Sequence, residues 1–201
     1  MIAIRGFGSE IVKALIPLLP KDEIPLRVRR FENIPLDCGR YLFCAGLLHG
    51  RSTYDHNDAS LCASFGVNLF TTVKDCEEIL NLNERARICV IGSESGISGS
   101  YDGAYAMAKA ALHHYIETRR LQAPAQQLVC IAPSIISDAG MTLRRKDTIA
   151  LRAREFTHPK GRFLKAAEVA SLIHHVLYVD QGYLSNVTIR MNGGEHTVRR
   201  V

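Results

Sequence analysis

Apolar and polar positions along this chain recur with two alternating periods. Residues 1–4 form a short apolar run that ends in Arg5-Gly6-Phe7-Gly8. Ser9 then opens residues 10–19, where Ile11, Val12, Leu15, Ile16 and Leu19 fall at helical spacing. Pro20 lies just past the end, where a helix cannot continue. Residues 26–31 alternate apolar and basic side chains, as a half-buried strand does, and residues 41–45 read as a buried strand stopped by Gly46. Residues 58–80 predict a long helix with Leu61, Phe65, Leu69, Val73 and Cys76 on one stripe. The apolar run from Ile88 to Ile91 makes residues 87–92 a buried parallel strand. An Ala-rich helix over 104–120 follows, then a strand over 127–132 broken by Pro133. A third strong helix over 166–179 and a last strand over 187–191 complete the series before Asn192-Gly193-Gly194.

Strand followed by helix, repeated, predicts an α/β fold with a doubly wound parallel sheet. No internal repeat, low-complexity stretch or linker interrupts it, so residues 1–201 read as a single domain. Open sheets of this kind bind ligands beyond the carboxyl ends of their strands. Those ends carry Gly6 and Gly8, Gly46, Ser93 and Pro133.

Composition narrows the function class. With 47% apolar residues, a core can form without disulfides or a structural metal. The net charge of +5, from 25 basic and 20 acidic residues, is small and scattered, and aromatic and basic residues do not interleave as in a single-strand binder. A solvated basic surface is expected rather than a nucleic-acid partner. The six cysteines form no CxxC pair and lack zinc-ligand spacing, so no metal is expected and a reducing cytoplasm fits. Neither a signal peptide nor an apolar stretch of about 18 residues is present, so no membrane partner is expected.

Candidate chemistry begins with two features that are weak alone. Gly6-Phe7-Gly8 sits between strand and helix, where glycine permits a tight turn and close approach of a pyrophosphate. A plain strand-to-helix turn also uses glycine, and Ile11 stands where a third glycine of the dinucleotide fingerprint would fall. Tyr105 and Lys109 are four apart, so they share a helix face. A phenol with its pKa of about 10 is a poor acid–base group at neutral pH, and a nearby ammonium lowers that value. Such pairs are also commonplace on helix surfaces. Ser93 adds context, because it ends a strand and precedes Tyr105 by 12 residues across a Ser- and Gly-rich loop.

The segment Val90-Ile91-Gly92-Ser93-Glu94-Ser95-Gly96, followed by Tyr105-Ala106-Met107-Ala108-Lys109-Ala110, resembles the active-site region of the short-chain dehydrogenase/reductase family. Gly66-Val67-Asn68-Leu69 resembles the family's helix motif with a catalytic Asn. Cys44-Ala45-Gly46 resembles its Asn-Ala-Gly, while Ala167-Glu168-Val169-Ala170 and Met191-Asn192-Gly193-Gly194 resemble its C-terminal helix and strand. The resemblance implies a Rossmann-type fold and NAD(P)-dependent oxidoreduction of a small carbonyl or alcohol. It implies Tyr105 as acid and base, Ser93 as the residue that orients the substrate oxygen, Lys109 as the group that lowers the Tyr105 pKa and contacts the nicotinamide ribose, and Asn68 as the holder of a relay water. Ser95 is a rival, although aligning Gly96 with the family's glycine favours Ser93. A homodimer or homotetramer is implied as well. The alternative is a non-catalytic dinucleotide-binding scaffold or sensor that keeps the fold.

Departures from the family lie in the nucleotide half. Only residues 26–31 offer a strand between the first helix and Tyr41, and 32–40 read as a loop, so a sheet one strand short on the adenine side is expected. The cofactor-binding residues then read as Arg5, Gly6, Phe7, Gly8, Arg29, Arg30, Ala45, Gly46, Tyr105, Lys109, Pro133 and Ile136, with Asp37 and Thr142 as lesser candidates. Arg5, Arg27, Arg29 and Arg30 favour NADP slightly over NAD, since a guanidinium pairs with a 2′-phosphate. Glu32 stands close by, and solvated arginines on an edge strand are the plain alternative. The adjacent pairs His113-His114 and His174-His175 read as surface or interface residues, and His49 and His56 as parts of a solvent-exposed loop. Arg144, Arg145 and Lys146 sit in the segment that covers the substrate in the family, where they suit an acidic substrate or merely solvate a lid.

Overall fold

Each apolar run of the sequence becomes a strand of one parallel sheet. The computed structural model describes residues 1–195; residues 196–201, which the sequence reading counts with the domain, lie outside them. Among the described residues, β1 (Ile2–Arg5), β2 (Pro25–Val28), β3 (Arg40–Phe43), β4 (Arg87–Ile91), β5 (Gln127–Pro133) and β6 (Val187–Met191) pair in the order β2-β1-β3-β4-β5-β6. Every pairing is parallel. The expected doubly wound sheet is therefore present, with β2 as the outermost strand on its first edge. Helices α1 (Glu10–Leu15), α2 (Asp58–Phe65), α3 (Thr71–Leu82), α4 (Ser95–Ser98) and α5 (Gly103–Thr118) connect the first five strands. Helices α6 (Gly140–Leu143), α7 (Thr148–Thr157) and α8 (Ala166–His174) lie between β5 and β6.

Strand period two sorts the core into two layers. Ile2, Ile4, Leu42, Cys89 and Ile91 point to the α1 and α8 side, against Val12, Leu15, Val169 and Ile173. Ala3, Tyr41, Phe43, Ile88 and Val90 point the other way, against Cys76, Ile79, Leu112 and Ile116 of α3 and α5. All seven residues of β5 are buried, as a central strand covered on both faces requires. The six cysteines are free, and only Cys62 is exposed. No helix among the described residues is long and apolar enough to cross a membrane.

Two expectations change in detail. The helix over 58–80 is not continuous: a π-turn at Gly66–Phe70 separates α2 from α3. The Thr71 amide bonds to the Gly66 carbonyl, and the Thr71 hydroxyl donates to the same oxygen at 2.8 Å. The extra residue rotates the helix, so Ser64, Asn68, Thr72 and Asp75 turn inward while Leu61, Phe65, Leu69 and Val73 are only half-buried and Cys76, the last of the expected stripe, is buried. The strand over 26–31 stops at Val28, and Arg29 to Glu32 form a turn closed by the Glu32 amide on the Arg29 carbonyl at 3.1 Å.

Gly6 is demanded by the backbone. Its φ is 89°, and a Cβ there would lie 2.5 Å from both Ala45 N and Cys44 C. This contact holds the ends of β1 and β3 together. Gly6→Ala is expected to cost about 2–4 kcal/mol, from left-handed strain plus overlap with backbone that cannot give way. Urea unfolding checks this as a lower midpoint at unchanged slope; a wild-type midpoint would show that the turn can open.

Candidate active site

The strand order reverses between β1 and β3, because β2 lies on one side of β1 and the later strands on the other. A crevice forms at that point, beyond the carboxyl ends. It is a cleft of about 420 Å³ floored by Gly6 to Ser9, with Arg27, Arg29 and Arg30 on one wall and Cys44, Ala45 and Gly46 on the other. Nothing approaches within 4 Å of the position where a Gly8 side chain would start, so that backbone is open to a ligand. Ser9 caps α1, accepting from the Val12 amide at 3.2 Å, and its oxygen lies 3.2 Å from Cys44 Sγ. Arg5 reaches the cleft only with its edge, because the residue is 4% exposed and its guanidinium is committed to Asp75 and to the carbonyls of Arg29 and Glu32. Glu32 is engaged too: its carboxylate accepts from the Arg29 amide at 2.8 Å and from Arg29 Nη1 at 3.2 Å. Of the expected cofactor-binding residues, Tyr105, Lys109, Pro133 and Ile136 do not line the cleft, and neither do Asp37 and Thr142.

The second group lies where β4 ends and α5 begins. Tyr105, Ser93 and Lys109 are all buried. Ser93 lies close enough to Tyr105 to favour its ionised form, and Ser93 Oγ accepts from the Ser95 amide at 3.2 Å. Of the two serines, Ser93 is the one that acts on the phenol; Ser95 starts α4. Burial pushes the Tyr105 phenol above its ordinary value, Ser93 opposes this, and Asp102 adds to it. Lys109 Nζ sits 5.9 Å from the Tyr105 ring centre but donates to the Ile91 carbonyl at 2.7 Å. Burial lowers the Lys109 ammonium to about 8. Gly96 lets α4 lie directly on α5, since a Cβ there would come within 2.8 Å of the Lys109 and Ala110 backbone.

Asn68 faces inward from the π-turn. Its amide spans the Leu47 backbone, accepting from Leu47 N at 2.9 Å and donating to Leu47 O at 2.8 Å. It therefore fixes the chain just after Ala45 and Gly46. Above this, Met141 of α6 reaches within 2.9 Å of where a Gly46 Cβ would stand. Pro133 and Ile136 lie on the far side, at the end of β5. The Pro133 carbonyl accepts from the Glu94 amide at 2.9 Å, and Ile136 is buried and bridges to Leu164. Arg145 pairs with Asp147, and Arg144 lies against Gly140 in α6.

Several residues here are not those the sequence singled out. His113 is no surface residue: it is 5% exposed, and its Nε2 accepts from the Ser93 amide at 3.3 Å. Glycines at 92 and 96 make room for its ring. Likewise His56 is not in solvent. Its fully covered side chain lies 3.2 Å from Asp102 Oδ1, with the His49 ring against it edge-on at 5.3 Å. Asp102 caps α5 through the Tyr105 amide and accepts from the amides of His49 and Gly50. An Asp before Gly103-Ala104 is an N-cap signal that would have found it. Glu94 ties the loop after Ser93 to β6 through Arg190 and Asn192.

His113 makes an acid-sensitive element. Burial, then the Lys109 charge, lower it from 6.5 to about 4, against weaker opposition from Glu117 and Glu94. Between those values the unfolded chain holds a proton that the folded chain refuses, so stability falls as pH drops through this window. Wild type is expected to lose about 1–3 kcal/mol relative to His113→Gln over that range. Urea midpoints at several pH values measure it, and parallel profiles would show that His113 is not held neutral.

No family model matches the chain. No curated protein matches it by sequence. Solved structures match its shape across nearly its whole length. A short-chain dehydrogenase/reductase from Brucella melitensis, described as a glucose/ribitol dehydrogenase, has a TM-score of 0.81 at 17% identity, covering 98% of this chain and 96% of that one. A short chain dehydrogenase family protein from Francisella tularensis has a TM-score of 0.80 at 16% identity, covering 96% and 97%. A variant of actinorhodin polyketide ketoreductase with NADPH has a TM-score of 0.79 at 13% identity, covering 98% and 97%. The chain has the fold of these short-chain dehydrogenase/reductase structures.

Proposed function

We propose that this chain is an NAD(P)(H)-dependent oxidoreductase of the short-chain dehydrogenase/reductase type, which reduces a small carbonyl compound or oxidises an alcohol. The observation that carries the reading is the buried Ser93–Tyr105–Lys109 group between β4 and α5, in a fold with an open cleft at the point where the sheet reverses. The cleft suits a dinucleotide: Gly8 offers open backbone and three arginines line one wall. Glu32, the acid in the turn after β2, is bonded to Arg29, which supports NADP over NAD. NADPH in the ketoreductase neighbour supports the same choice.

A bound nicotinamide supplies the hydride. The protein's residues handle the proton. Raised by burial, the Tyr105 phenol stays protonated at neutral pH and is set to donate to a carbonyl oxygen. Ser93 orients that oxygen through its hydroxyl. Lys109 places a positive charge near the ring and so favours the phenolate left behind. Asn68 holds the Leu47 backbone that follows the Ala45-Gly46 wall. The half-buried stripe of Leu61, Phe65 and Leu69, with exposed Phe70 and Met107 nearby, supports a homodimer or homotetramer. Free cysteines support a cytoplasmic setting.

A second reading, a dinucleotide-binding scaffold without turnover, is favoured by the bond of Lys109 Nζ to Ile91 O in place of the tyrosine. NADPH fluorescence with added protein, then NADPH consumption with a panel of aldehydes and ketones, separates the two. Binding with turnover supports the enzyme, and binding alone supports the scaffold. Absence of binding at millimolar cofactor overturns both.

A further inference from the structure

Among the described residues β2 has no strand beyond it, so the turn at 29–32 leaves the sheet without a neighbouring ladder to hold it. Its own ties are the Glu32 amide on the Arg29 carbonyl and the Glu32 carboxylate on the Arg29 amide and guanidinium. Arg5, at the end of β1, ties the turn to the rest of the fold. Its Nε lies 2.7 Å from Asp75 Oδ2 on α3, with both side chains under one-tenth exposed. Nη1 donates to the Arg29 carbonyl at 2.5 Å and Nη2 to the Glu32 carbonyl at 3.1 Å. A guanidinium fork can serve a carboxylate and two carbonyls at once, whereas a lysine ammonium cannot span them. A cation so committed is not free to hold a phosphate.

We infer that Arg5 is a positioning residue, a buried strut between α3 and the turn after β2 that holds Arg29 and Arg30 along the cleft, next to Arg27 of β2, and so sets selectivity for a 2′-phosphorylated adenosine without touching it. This rests on the dinucleotide reading above. The same turn keeps the Glu32 carboxylate folded back on Arg29 and away from a ribose hydroxyl. The strut therefore acts on both sides of the choice: it presents the arginines and withholds the acid.

Calorimetric titration of the full chain with 2′,5′-ADP and with 5′-ADP tests this. Wild type is expected to bind 2′,5′-ADP about tenfold or more tighter, as charge-assisted bonds to the extra phosphate require. In Arg5→Met the ratio is expected to fall to roughly one to three. Arg5→Lys keeps a charge near Asp75 but loses the fork, and its ratio should fall between the two. Breaking one half of a buried pair can unfold a protein, so Arg5→Met with Asp75→Leu, which removes both charges at similar volume, gives the same reading in a folded chain. A merely structural role would weaken both ligands alike and leave the ratio unmoved. An unchanged ratio overturns the strut. Wild-type binding of 5′-ADP without preference for the 2′-phosphate overturns it too, and leaves the dinucleotide reading standing. Failure of wild type to bind either ligand overturns both.

Discussion

Tyr105→Phe is expected to lower carbonyl-dependent NADPH consumption by about 10²–10⁴-fold while dinucleotide affinity stays within about twofold. The residue is 8% exposed and Ser93 lies beside its phenol, so phenylalanine keeps the packing and removes one oxygen. Loss of one neutral hydrogen-bonding group costs roughly 1 kcal/mol of stability. The variant should therefore fold and bind. What disappears is the proton donor. Because burial and Asp102 hold the phenol above its usual value, it is protonated at neutral pH and ready to act as an acid in the reducing direction. In the oxidising direction the same group must first lose its proton, so alcohol oxidation should gain from alkaline pH more than reduction does. Stopped-flow or steady-state turnover together with NADPH titration provides the check. Turnover equal to wild type removes Tyr105 from the chemistry, and parallel losses of affinity and turnover make it a packing residue.

The sheet was readable because each strand is a short apolar run bounded by glycine, proline or charge, as in residues 87–92 and 127–132. Its shortened edge at β2 was readable from the loop-like stretch 32–40, with Pro35 and Gly39. The candidate catalytic group was proposed from spacing, since Tyr105 and Lys109 share a face of α5 and Ser93 follows β4. The π-turn was not readable. A single extra residue in a helix leaves no mark in hydrophobic period, and here Ser64, Asn68 and Thr72 turn inward while Leu61, Phe65, Leu69 and Val73 of the expected stripe are half-buried and Cys76 stays in the core. Buried polar partners were hidden for a related reason. His113, His56 and Arg5 look like surface residues in a one-dimensional pattern, and only the folded chain shows the amide, carboxylate or carbonyl that satisfies each. For Arg5 the type of residue was informative and its role was not: a cation next to a glycine turn suggests a phosphate, while the geometry turns it inward to Asp75.

Lys109→Met is expected to abolish turnover and, at pH 7, to make the protein more stable by about 1–3 kcal/mol. The side chain is 3% exposed, and Nζ donates to the Ile91 carbonyl. Burial dominates and lowers it from 10.5 to about 8; the neighbouring Cys130 and Cys44 thiols, themselves pushed up by burial, carry no charge at pH 7 that could offset this. A buried ammonium without a carboxylate partner costs more than its one strong hydrogen bond returns. Methionine fills similar volume without charge, at the expense of an unpaired Ile91 carbonyl worth about 1 kcal/mol. The pH signature separates this from ordinary repacking. Between about 8 and 10.5 the unfolded chain retains the proton that the folded chain gives up, so wild-type stability rises with pH across that window. The variant lacks the group, and its advantage should shrink as pH climbs from 8 toward 10. For a chain of this length the neutral-pH advantage corresponds to a rise of about 2–4 °C in Tm for each kcal/mol. Thermal and urea unfolding of both proteins at pH 7 and in the alkaline window measure it. A variant less stable than wild type at pH 7, or a gap that does not change with pH, would mean that the Lys109 charge is held at no cost, leaving its retention in the core without the functional explanation that a destabilising group demands.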